Sequence, residues 1–240
     1  MILDSFRLDG RVALVTGSSR GLGQAAAIAL AEAGADLVLL DRTRVHSIAC
    51  DLASASPERL HAAVAEAAEA LGSVDILVNN AGMIRRAPAA EHAASDWGEV
   101  LRVNLDAVFH LSQAAGRRML EGGWGRIINV ASMLSFQGGV LVPGYTASKH
   151  AVAGLTKALA NEWASAGVTV NAIAPGYLAT DNTAALRADA ERERAILSRI
   201  PAGRWGAPSD LQGAFVFLAS DAAAYLTGAV LPVDGGWLVR

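Results

Sequence analysis

The stretch RVALVTGSSRGLGQAAAIALAEAG, residues 11–34, decides the fold. Residues 11–16 are apolar and rich in β-branched side chains, which is typical of a parallel strand buried on both faces. Residues 17–23 hold three glycines, and an alanine-rich helical segment then runs to Ala33, with Gly34 as its terminator. A strand, a glycine-rich turn and a helix in this order predict a phosphate-binding turn, because glycines let the backbone approach an anion and the helix N-terminus attracts it.

The spacing of these glycines is Gly-x-x-x-Gly-x-Gly rather than the Gly-x-Gly-x-x-Gly of many dinucleotide-binding turns, and an ordinary tight turn is the alternative. Asp41 closes the next apolar run, near the interval of about 20 residues at which an acidic residue holds the adenosine ribose. A carboxylate at this place repels a 2′-phosphate, so we expect NAD rather than NADP. NADP stays possible, because Arg20, Arg42 and Arg44 lie close in the sequence and could bind that phosphate.

Strand-like and helix-like segments alternate along the rest of the chain. Further strands are predicted at 36–40, 45–50, 74–79, 126–131, 168–174 and 229–233, and helices at 57–71, 95–120, 145–166, within 179–200 and from the capping residue Ser209 to 220. This order predicts an α/β fold, with residues 1–240 forming a single domain of Rossmann type: a doubly wound parallel sheet in three α/β/α layers. Between Asp41 and Asp51 the chain is short for a parallel crossover, which needs about a dozen residues. Either a tight loop replaces the crossover helix or the strand at 45–50 is wrong.

The composition excludes several classes of protein. A net charge of −3 and a pI near 5.9 give no reason to expect a nucleic-acid partner. The single Cys50 and an N-terminus without an apolar run predict a cytoplasmic protein without a signal peptide. We expect no membrane span, because Asp221, Gly228 and Pro232 interrupt the most apolar window. The five histidines lack metal-ligand spacing, so we expect no metal site.

A second informative stretch is SMLSFQGGVLVPGYTASK, residues 132–149. Tyr145 is one of three tyrosines and Lys149 one of two lysines, and their spacing of four places them on one helix face. A nearby ammonium lowers the pKa of a phenol and makes it a useful proton donor and acceptor. Coincidence would produce such a pair about once in forty chains of this composition. The pair therefore needs a cofactor site and a second hydroxyl, for which Ser132 is the candidate.

Polar residues follow the strand at 74–79. The turn Asn79-Asn80-Ala81-Gly82 lies at a carboxyl strand end, where open α/β sheets bind ligands. Arg85 and Arg86 follow it, and they are either a solvated pair or the recognition site for an anionic substrate group. Asn104 lies inside a predicted helix, where asparagine is unfavourable, so a buried Asn104 needs a hydrogen-bonding task.

These motifs together resemble the short-chain dehydrogenase/reductase family, and the resemblance covers nearly the whole chain. They are TGSSRGLG at 16–23, NNAG at 79–82, Asn104, Ser132, YTASK at 145–149 and the Pro-Gly pair at 175–176. The family resemblance implies a Rossmann-type fold, a nicotinamide cofactor and a catalytic tetrad of Asn104, Ser132, Tyr145 and Lys149. It also implies a homotetramer.

The resemblance implies a role for each tetrad member. Ser132 would hold the substrate oxygen, Tyr145 would transfer the proton, Lys149 would lower the Tyr145 pKa and bind the nicotinamide ribose, and Asn104 would hold a water molecule. The cofactor groove would be lined by Gly17, Arg20, Gly21, Leu22, Gly23, Asp41, Asp51, Leu52, Asn79, Ala81, Gly82, Tyr145, Lys149, Pro175, Gly176 and Thr180.

A narrower resemblance is to family members that act on deoxy keto sugar acids. It rests on NNAGMIRRA, ASMLSFQGG, NAIAPGYLATDNT, RIPAGRWGAPSDL and VDGGWL. It makes a sugar acid the expected small-molecule substrate, with Arg85, Arg86, Ser132, Gln137, Tyr145 and Arg204 as candidate contacts. The alternatives are reduction of a 3-oxoacyl thioester, oxidation of a polyol, and a cofactor-binding regulator without turnover.

Overall fold

The computed structural model describes residues 1–42 and 47–240, and these contain one seven-stranded, all-parallel sheet. The strand order is β3-β2-β1-β4-β5-β6-β7. The strands are β1 Val12–Thr16, β2 Asp36–Asp41, β3 Ile48–Ala49, β4 Ile76–Asn79, β5 Gly125–Val130, β6 Val168–Pro175 and β7 Val230–Val233. The predicted doubly wound parallel sheet is confirmed.

Helices cover both faces of this sheet. They are α1 Gly21–Glu32, α2 Pro57–Leu71, α3 Ala94–Leu101, α4 Ala107–Gly122, α5 Pro143–Trp163, α6 Ala184–Ala188, α7 Ala190–Leu197 and α8 Gln212–Ala219. Alternate residues of β1 point to opposite layers: Val12 and Leu14 pack with α2, α4 and α5, whereas Ala13 and Val15 pack with α1 and α8. Because β1 is buried on both faces, its sequence is apolar from Val12 to Val15 rather than alternating.

The chain changes direction across the sheet at β1. This strand pairs with β2 on one side and with β4 on the other, so the turns that leave β1 and β4 border a crevice at the carboxyl edge. Gly23, in the first turn of α1, has no side chain, so the Gly17 carbonyl and the Asn80 side chain can lie very close to its backbone. A Cβ at Gly23 would lie 2.2 Å from the carbonyl oxygen of Gly17 and 2.4 Å from Nδ2 of Asn80, which are separations that packed atoms do not reach.

The third strand, which the short connection after Asp41 put in question, is present in the structure. Leu40 pairs with Ile48 and Asp41 with Ala49 in parallel register, so the predicted third strand exists at Ile48–Ala49. That register leaves only residues 42–47 between the two strands. An ordinary parallel crossover has about a dozen residues or more. Residues 43–46 lie outside the described part of the chain, so the prediction for Arg44 and the first part of the strand at 45–50 cannot be placed.

Three predicted helix boundaries are wrong. The helix predicted at 95–120 is divided into α3 and α4 by a π-helical segment, Arg102–Asp106, which contains Asn104. The helix predicted to begin at Tyr145 begins at Pro143, because proline is compatible with a first helical turn. Ser209 does not cap a helix: it lies within a 3₁₀ turn, Pro208–Leu211, that precedes α8.

Candidate active site

Ser132, Tyr145 and Lys149 meet at the carboxyl edge of the sheet. Ser132 follows β5, and its hydroxyl accepts a hydrogen bond of 3.1 Å from the Leu134 amide, which fixes the side chain. Tyr145 and Lys149 lie on the first turns of α5, where the Tyr145 hydroxyl is hydrogen-bonded to the Ser132 side chain. The Lys149 Nζ lies 5.5 Å from the centre of the Tyr145 ring and donates to the Val130 carbonyl at 2.6 Å.

Burial dominates the electrostatics of these groups. It raises the pKa of the Tyr145 phenol, while the hydrogen bond from Ser132 and the positive charge of Arg86 lower that pKa in part. Burial lowers the pKa of the Lys149 ammonium from 10.5 to about 8, and the side chain is only 4% exposed. Arg86 is thus a cation that stabilises the phenolate here, whereas the expected effect of Lys149 on the phenol stays a prediction.

Asn104 is fully buried and clamps the loop after β4. Its Oδ1 accepts from the Met83 amide at 2.8 Å, and its Nδ2 donates to the Met83 carbonyl at 2.9 Å and to the Ser148 hydroxyl at 3.1 Å. A Cβ at Gly82 would lie 3.4 Å from Asn104 Oδ1 and 3.9 Å from Lys149 Nζ. The fourth predicted tetrad member therefore lies beside the other three, with all its amide groups engaged.

The glycine turn between β1 and α1 has the backbone shape of an anion cradle. Gly17 and Gly21 have φ angles of +62° and +58°, which favour glycine. Asp41, at the end of β2, accepts hydrogen bonds from the hydroxyls of Ser18 at 2.8 Å and Ser19 at 3.1 Å. The carboxylate predicted to meet the adenosine ribose therefore lies against the glycine turn, and the α1 N-terminus opens beside it.

Asn80 and Thr16, which the sequence reasoning did not single out, hold this turn in place. The Asn80 Nδ2 donates to the carbonyl oxygens of Thr16 at 2.9 Å and Gly17 at 3.0 Å. The Thr16 hydroxyl accepts from the backbone amides of Asn80 and Ala81, each at 3.0 Å. The second Asn of the NNAG turn was the available signal, because an amide between two loops supplies both donors and acceptors.

The remaining predicted groove residues lie at or beyond the ends of four strands. Arg20 pairs with Asp181 at 2.8 Å, and Asn79 donates at 3.0 Å to Ser112 and at 2.9 Å to Asn129 in the buried interior. The Asn79 side chain is thus engaged away from a ligand, and a cofactor contact at Asn79 falls to its backbone. Gly21, Leu22 and Gly23 form the first turn of α1 after β1, and Pro175 ends β6. The loops carry Asp51 and Leu52 after β3, Ala81 and Gly82 after β4, and Gly176 and Thr180 after β6.

The three candidate arginines differ in their partners. Arg85 pairs with Glu99 at 2.7 Å and Asp96 at 3.5 Å, and Arg204 binds both oxygens of Asp210 at 2.7 and 2.9 Å. Arg86 donates to the Asn182 carbonyl at 3.3 Å, and no carboxylate within residues 1–42 and 47–240 forms an ion pair with it. Arg86 is therefore the candidate whose charge is available to an anionic ligand.

Gln137, the other tentative substrate residue, lies on the loop between Ser132 and Tyr145. Its Oε1 accepts a hydrogen bond of 2.9 Å from the indole Nε1 of Trp237, near the end of the chain. Trp237 was not among the predicted site residues, because the sequence of residues 234–240 gives no sign of a contact with residue 137.

The part of the chain that the structure describes shows neither a metal-binding cluster nor a membrane-spanning helix. No group of three or more His, Cys, Asp or Glu side chains is arranged to hold a metal ion there. No helix there combines the length and apolar character needed to cross a bilayer.

Known proteins are similar to this chain over its whole length. A family model described as enoyl-(acyl carrier protein) reductase matches residues 17–238. The 2-dehydro-3-deoxy-D-gluconate 5-dehydrogenase of Dickeya dadantii (strain 3937) is 52% identical, covering 100% of this chain and 100% of its own length. The chain belongs to the short-chain dehydrogenase/reductase family.

Two solved structures of this family are similar in both sequence and fold. A putative 2-deoxy-D-gluconate 3-dehydrogenase from Agrobacterium tumefaciens, with bound NADP, is 52% identical and has a TM-score of 0.92, with 98% of this chain and 99% of that chain covered. A gluconate 5-dehydrogenase from Burkholderia cenocepacia J2315, in complex with NADP and tartrate, is 41% identical, with a TM-score of 0.96 and 100% of both chains covered. The predicted family and Rossmann-type fold are confirmed.

The lowered pKa of Lys149 predicts a pH dependence of stability. An unfolded lysine holds its proton up to pH 10.5, whereas folded Lys149 releases it near pH 8, so the unfolded chain binds more protons between these values. The free energy of unfolding of the wild type should therefore rise relative to Lys149→Met, by roughly 1–3 kcal/mol, as pH increases from 7.5 to 10. Urea unfolding at several pH values measures this.

Lys157→Met is the matched control, because Lys157 is the other lysine of α5 and is exposed. Its stability should follow that of the wild type across the same pH range. Parallel curves for the wild type and Lys149→Met would show that the Lys149 ammonium carries no burial cost.

Proposed function

We propose that the protein is a nicotinamide-dependent dehydrogenase that interconverts a secondary alcohol and a ketone on a deoxy keto sugar acid, as a 2-dehydro-3-deoxy-D-gluconate 5-dehydrogenase does. The observation that carries the proposal is the meeting of Ser132, Tyr145 and Lys149 beside a glycine turn shaped for a pyrophosphate. The 52% identity to an enzyme of that activity supports the substrate class.

The residues present fit a nicotinamide dinucleotide. The left-handed glycines of the turn, the N-terminus of α1 and the Asp41 carboxylate are donors and acceptors in the places that a pyrophosphate and a ribose need. NADP is bound in the two solved relatives described above. When bound, the dinucleotide supplies or accepts a hydride at its nicotinamide ring, and the protein positions and polarises the substrate.

The chain's own residues handle the proton. The Ser132 hydroxyl holds the substrate oxygen beside the Tyr145 hydroxyl, and Tyr145 gives its proton to that oxygen during reduction or takes it during oxidation. Positive charge from Arg86 and the hydrogen bond from Ser132 favour the phenolate that remains after donation. Lys149 is the buried amine that then returns a proton to Tyr145. Asn104 holds the loop after β4 against α5 beside Lys149.

Arg86 is the proposed ligand of the substrate carboxylate. It lies close enough to Tyr145 for its charge to lower the phenol pKa, and its hydrogen-bond partner among the described residues is a backbone carbonyl. Arg85 and Arg204 each hold a carboxylate of the protein already. A charge-assisted hydrogen bond from Arg86 thus favours an acid over a neutral sugar.

Both dinucleotides are proposed to bind, with Asp41 as the residue that limits the use of NADP. Its carboxylate lies against the glycine turn and repels a 2′-phosphate, yet the two solved relatives contain NADP. Arg42, the residue after Asp41, is the described cation proposed for a 2′-phosphate, whereas Arg20 would first have to give up its ion pair with Asp181 at 2.8 Å.

The proposal extends to the domain organisation, the assembly and the cellular location of the protein. Residues 1–240 are proposed to form one domain that assembles as a homotetramer in the cytoplasm. Support for assembly comes from large apolar side chains that remain exposed on the long helical region, Trp97 at 41% and Phe109 at 37%.

Tyr145→Phe should lower kcat for a deoxy keto sugar acid by about 10²–10⁴, because general acid catalysis contributes a factor of this size. Binding of the reduced dinucleotide, followed by its fluorescence, should be unchanged within about twofold. Tyr225→Phe, at a fully exposed tyrosine, is the control. Turnover in Tyr145→Phe close to that of wild type would sink the assignment of Tyr145.

Arg86→Gln should raise KM for a keto sugar acid about tenfold or more, which corresponds to one charge-assisted hydrogen bond of roughly 1.5–3 kcal/mol. The same change should have a much smaller effect on the matching neutral sugar. Arg85→Gln, at the neighbouring arginine that is already paired, should leave the ratio between acid and neutral substrates unchanged. Equal losses on both substrates in Arg86→Gln would contradict the role of Arg86.

Asp41→Asn should increase the ratio of kcat/KM with NADPH to that with NADH about tenfold, because it removes one negative charge but keeps an oxygen acceptor for Ser18 and Ser19. Asp36→Asn, at the exposed start of the same strand, is the matched control. A ratio that stays at the wild-type value in Asp41→Asn would remove Asp41 as the determinant.

A further inference from the structure

Trp237 reaches the active-site loop from the far end of the chain. It follows Gly235 and Gly236, whose φ angles are +64° and +88°, in a turn organised by the Asp234 carboxylate. That carboxylate accepts from the backbone amides of Gly236 and Leu238, each at 2.9 Å. The Trp237 side chain that follows this turn is buried, with 5% exposure.

The Trp237 ring is fixed by neighbours on three sides. Tyr177, just after β6, packs edge-on with ring centres 4.8 Å apart, and the Arg199 guanidinium lies 3.9 Å from the Trp237 ring centre. Met133, the residue next to Ser132, belongs to the same cluster, as does Ile196 of α7. The indole is therefore held between the active-site loop and the helices that follow β6.

The single polar contact of the indole decides the orientation of the Gln137 amide. An indole N–H can only donate, so the atom of Gln137 that lies 2.9 Å from it is the oxygen Oε1. The Gln137 NH₂ group must then point away from Trp237. Among the described residues, no acceptor is paired with that NH₂ group, although the Gln137 backbone is fixed by a 3.2 Å bond to the Met133 carbonyl.

We propose that Trp237 is a positioning residue that holds the Gln137 amide with its NH₂ group directed at an acceptor oxygen of the substrate. Gln137 lies on the loop between Ser132 and Tyr145, so an NH₂ group displayed there meets the oxygen-rich chain of a sugar acid away from the reacting carbon. Without the indole N–H, the Gln137 amide can turn either its oxygen or its nitrogen toward the substrate. With the amide oxygen turned that way, Gln137 repels the acceptor oxygen of the substrate. The proposal rests on the proposed function for the identity of the substrate.

Trp205 provides a matched control. It packs on the same Tyr177, with ring centres 5.5 Å apart, and belongs to the same apolar cluster. Its indole nitrogen is buried and has no hydrogen-bond partner among the described residues. Tryptophan to phenylalanine at position 205 therefore removes an indole from the cluster without removing a hydrogen bond, whereas the same change at position 237 removes both.

The test is a double-mutant cycle in steady-state kinetics. Trp237→Phe should raise KM for the keto sugar acid about five- to tenfold, the factor expected for one hydrogen bond, with kcat and dinucleotide binding within about twofold of wild type. Gln137→Ala should raise KM at least as much, and Trp237→Phe should add nothing in the Gln137→Ala background. Trp205→Phe should leave KM unchanged. Equal effects of Trp237→Phe in both backgrounds would overturn the proposal.

A second measurement does not depend on turnover. In ¹⁵N-labelled protein the indole N–H signal of Trp237 is identified by its absence in Trp237→Phe. Gln137→Ala should shift that signal and speed its exchange with solvent, while Trp205→Phe should leave it in place; an unshifted, equally protected signal in Gln137→Ala would overturn the proposal. Wild-type protein that shows the predicted shift but no turnover of keto sugar acids would instead contradict the proposed function.

Discussion

The loop that follows β4 is clamped at both ends by asparagine amides, and the rest of the site depends on these two clamps. At one end, Asn80 holds the backbone of the glycine turn, which can come so close only because Gly23 has no side chain. At the other end, Asn104 holds both backbone groups of Met83 and reaches Ser148 on α5. One loop therefore connects the glycine turn to α5.

Burial at this junction gives the proton-handling groups their properties. Burial removes the solvation of Lys149, which is 4% exposed, so the charged state is disfavoured and the pKa falls to about 8. The pKa of the Tyr145 phenol is raised by the same burial and is then lowered in part by Ser132 and Arg86. Among the charged groups, Arg86 is the one that lowers the Tyr145 pKa.

Much of this fold could be predicted from sequence because its signals are local. The apolar run at residues 11–16 and the glycines after it determine a buried strand and a turn, whatever the rest of the chain does. The spacing of Tyr145 and Lys149 on one helix face is equally local. The π-helical segment around Asn104 was missed because it depends on the contacts of Asn104 with Met83 and Ser148, which only the folded chain brings together.

The parts of the site that sequence could not predict are long-range pairings of polar groups. Nothing in the sequence near Arg85 and Arg86 indicates that Glu99 and Asp96 engage the first and leave the second. The contact between Trp237 and Gln137 joins positions 100 residues apart and depends on the turn at Asp234. Tertiary packing determines these pairings. The Tyr145–Lys149 pair could therefore be predicted from local sequence, whereas the partners of Arg85, Arg86 and Trp237 could not.

The proposed reaction moves a hydride between a nicotinamide ring and a sugar acid. The most direct measurement uses reduced dinucleotide carrying deuterium at C4 of the nicotinamide, on each face in turn, with a 3-deoxy keto sugar acid as acceptor. If the hydride comes from C4, the product formed with one of the two labels should carry one deuterium on the new carbinol carbon. Mass spectrometry and NMR detect this deuterium. A product without deuterium from either label, or no product at all, would contradict the proposed reaction.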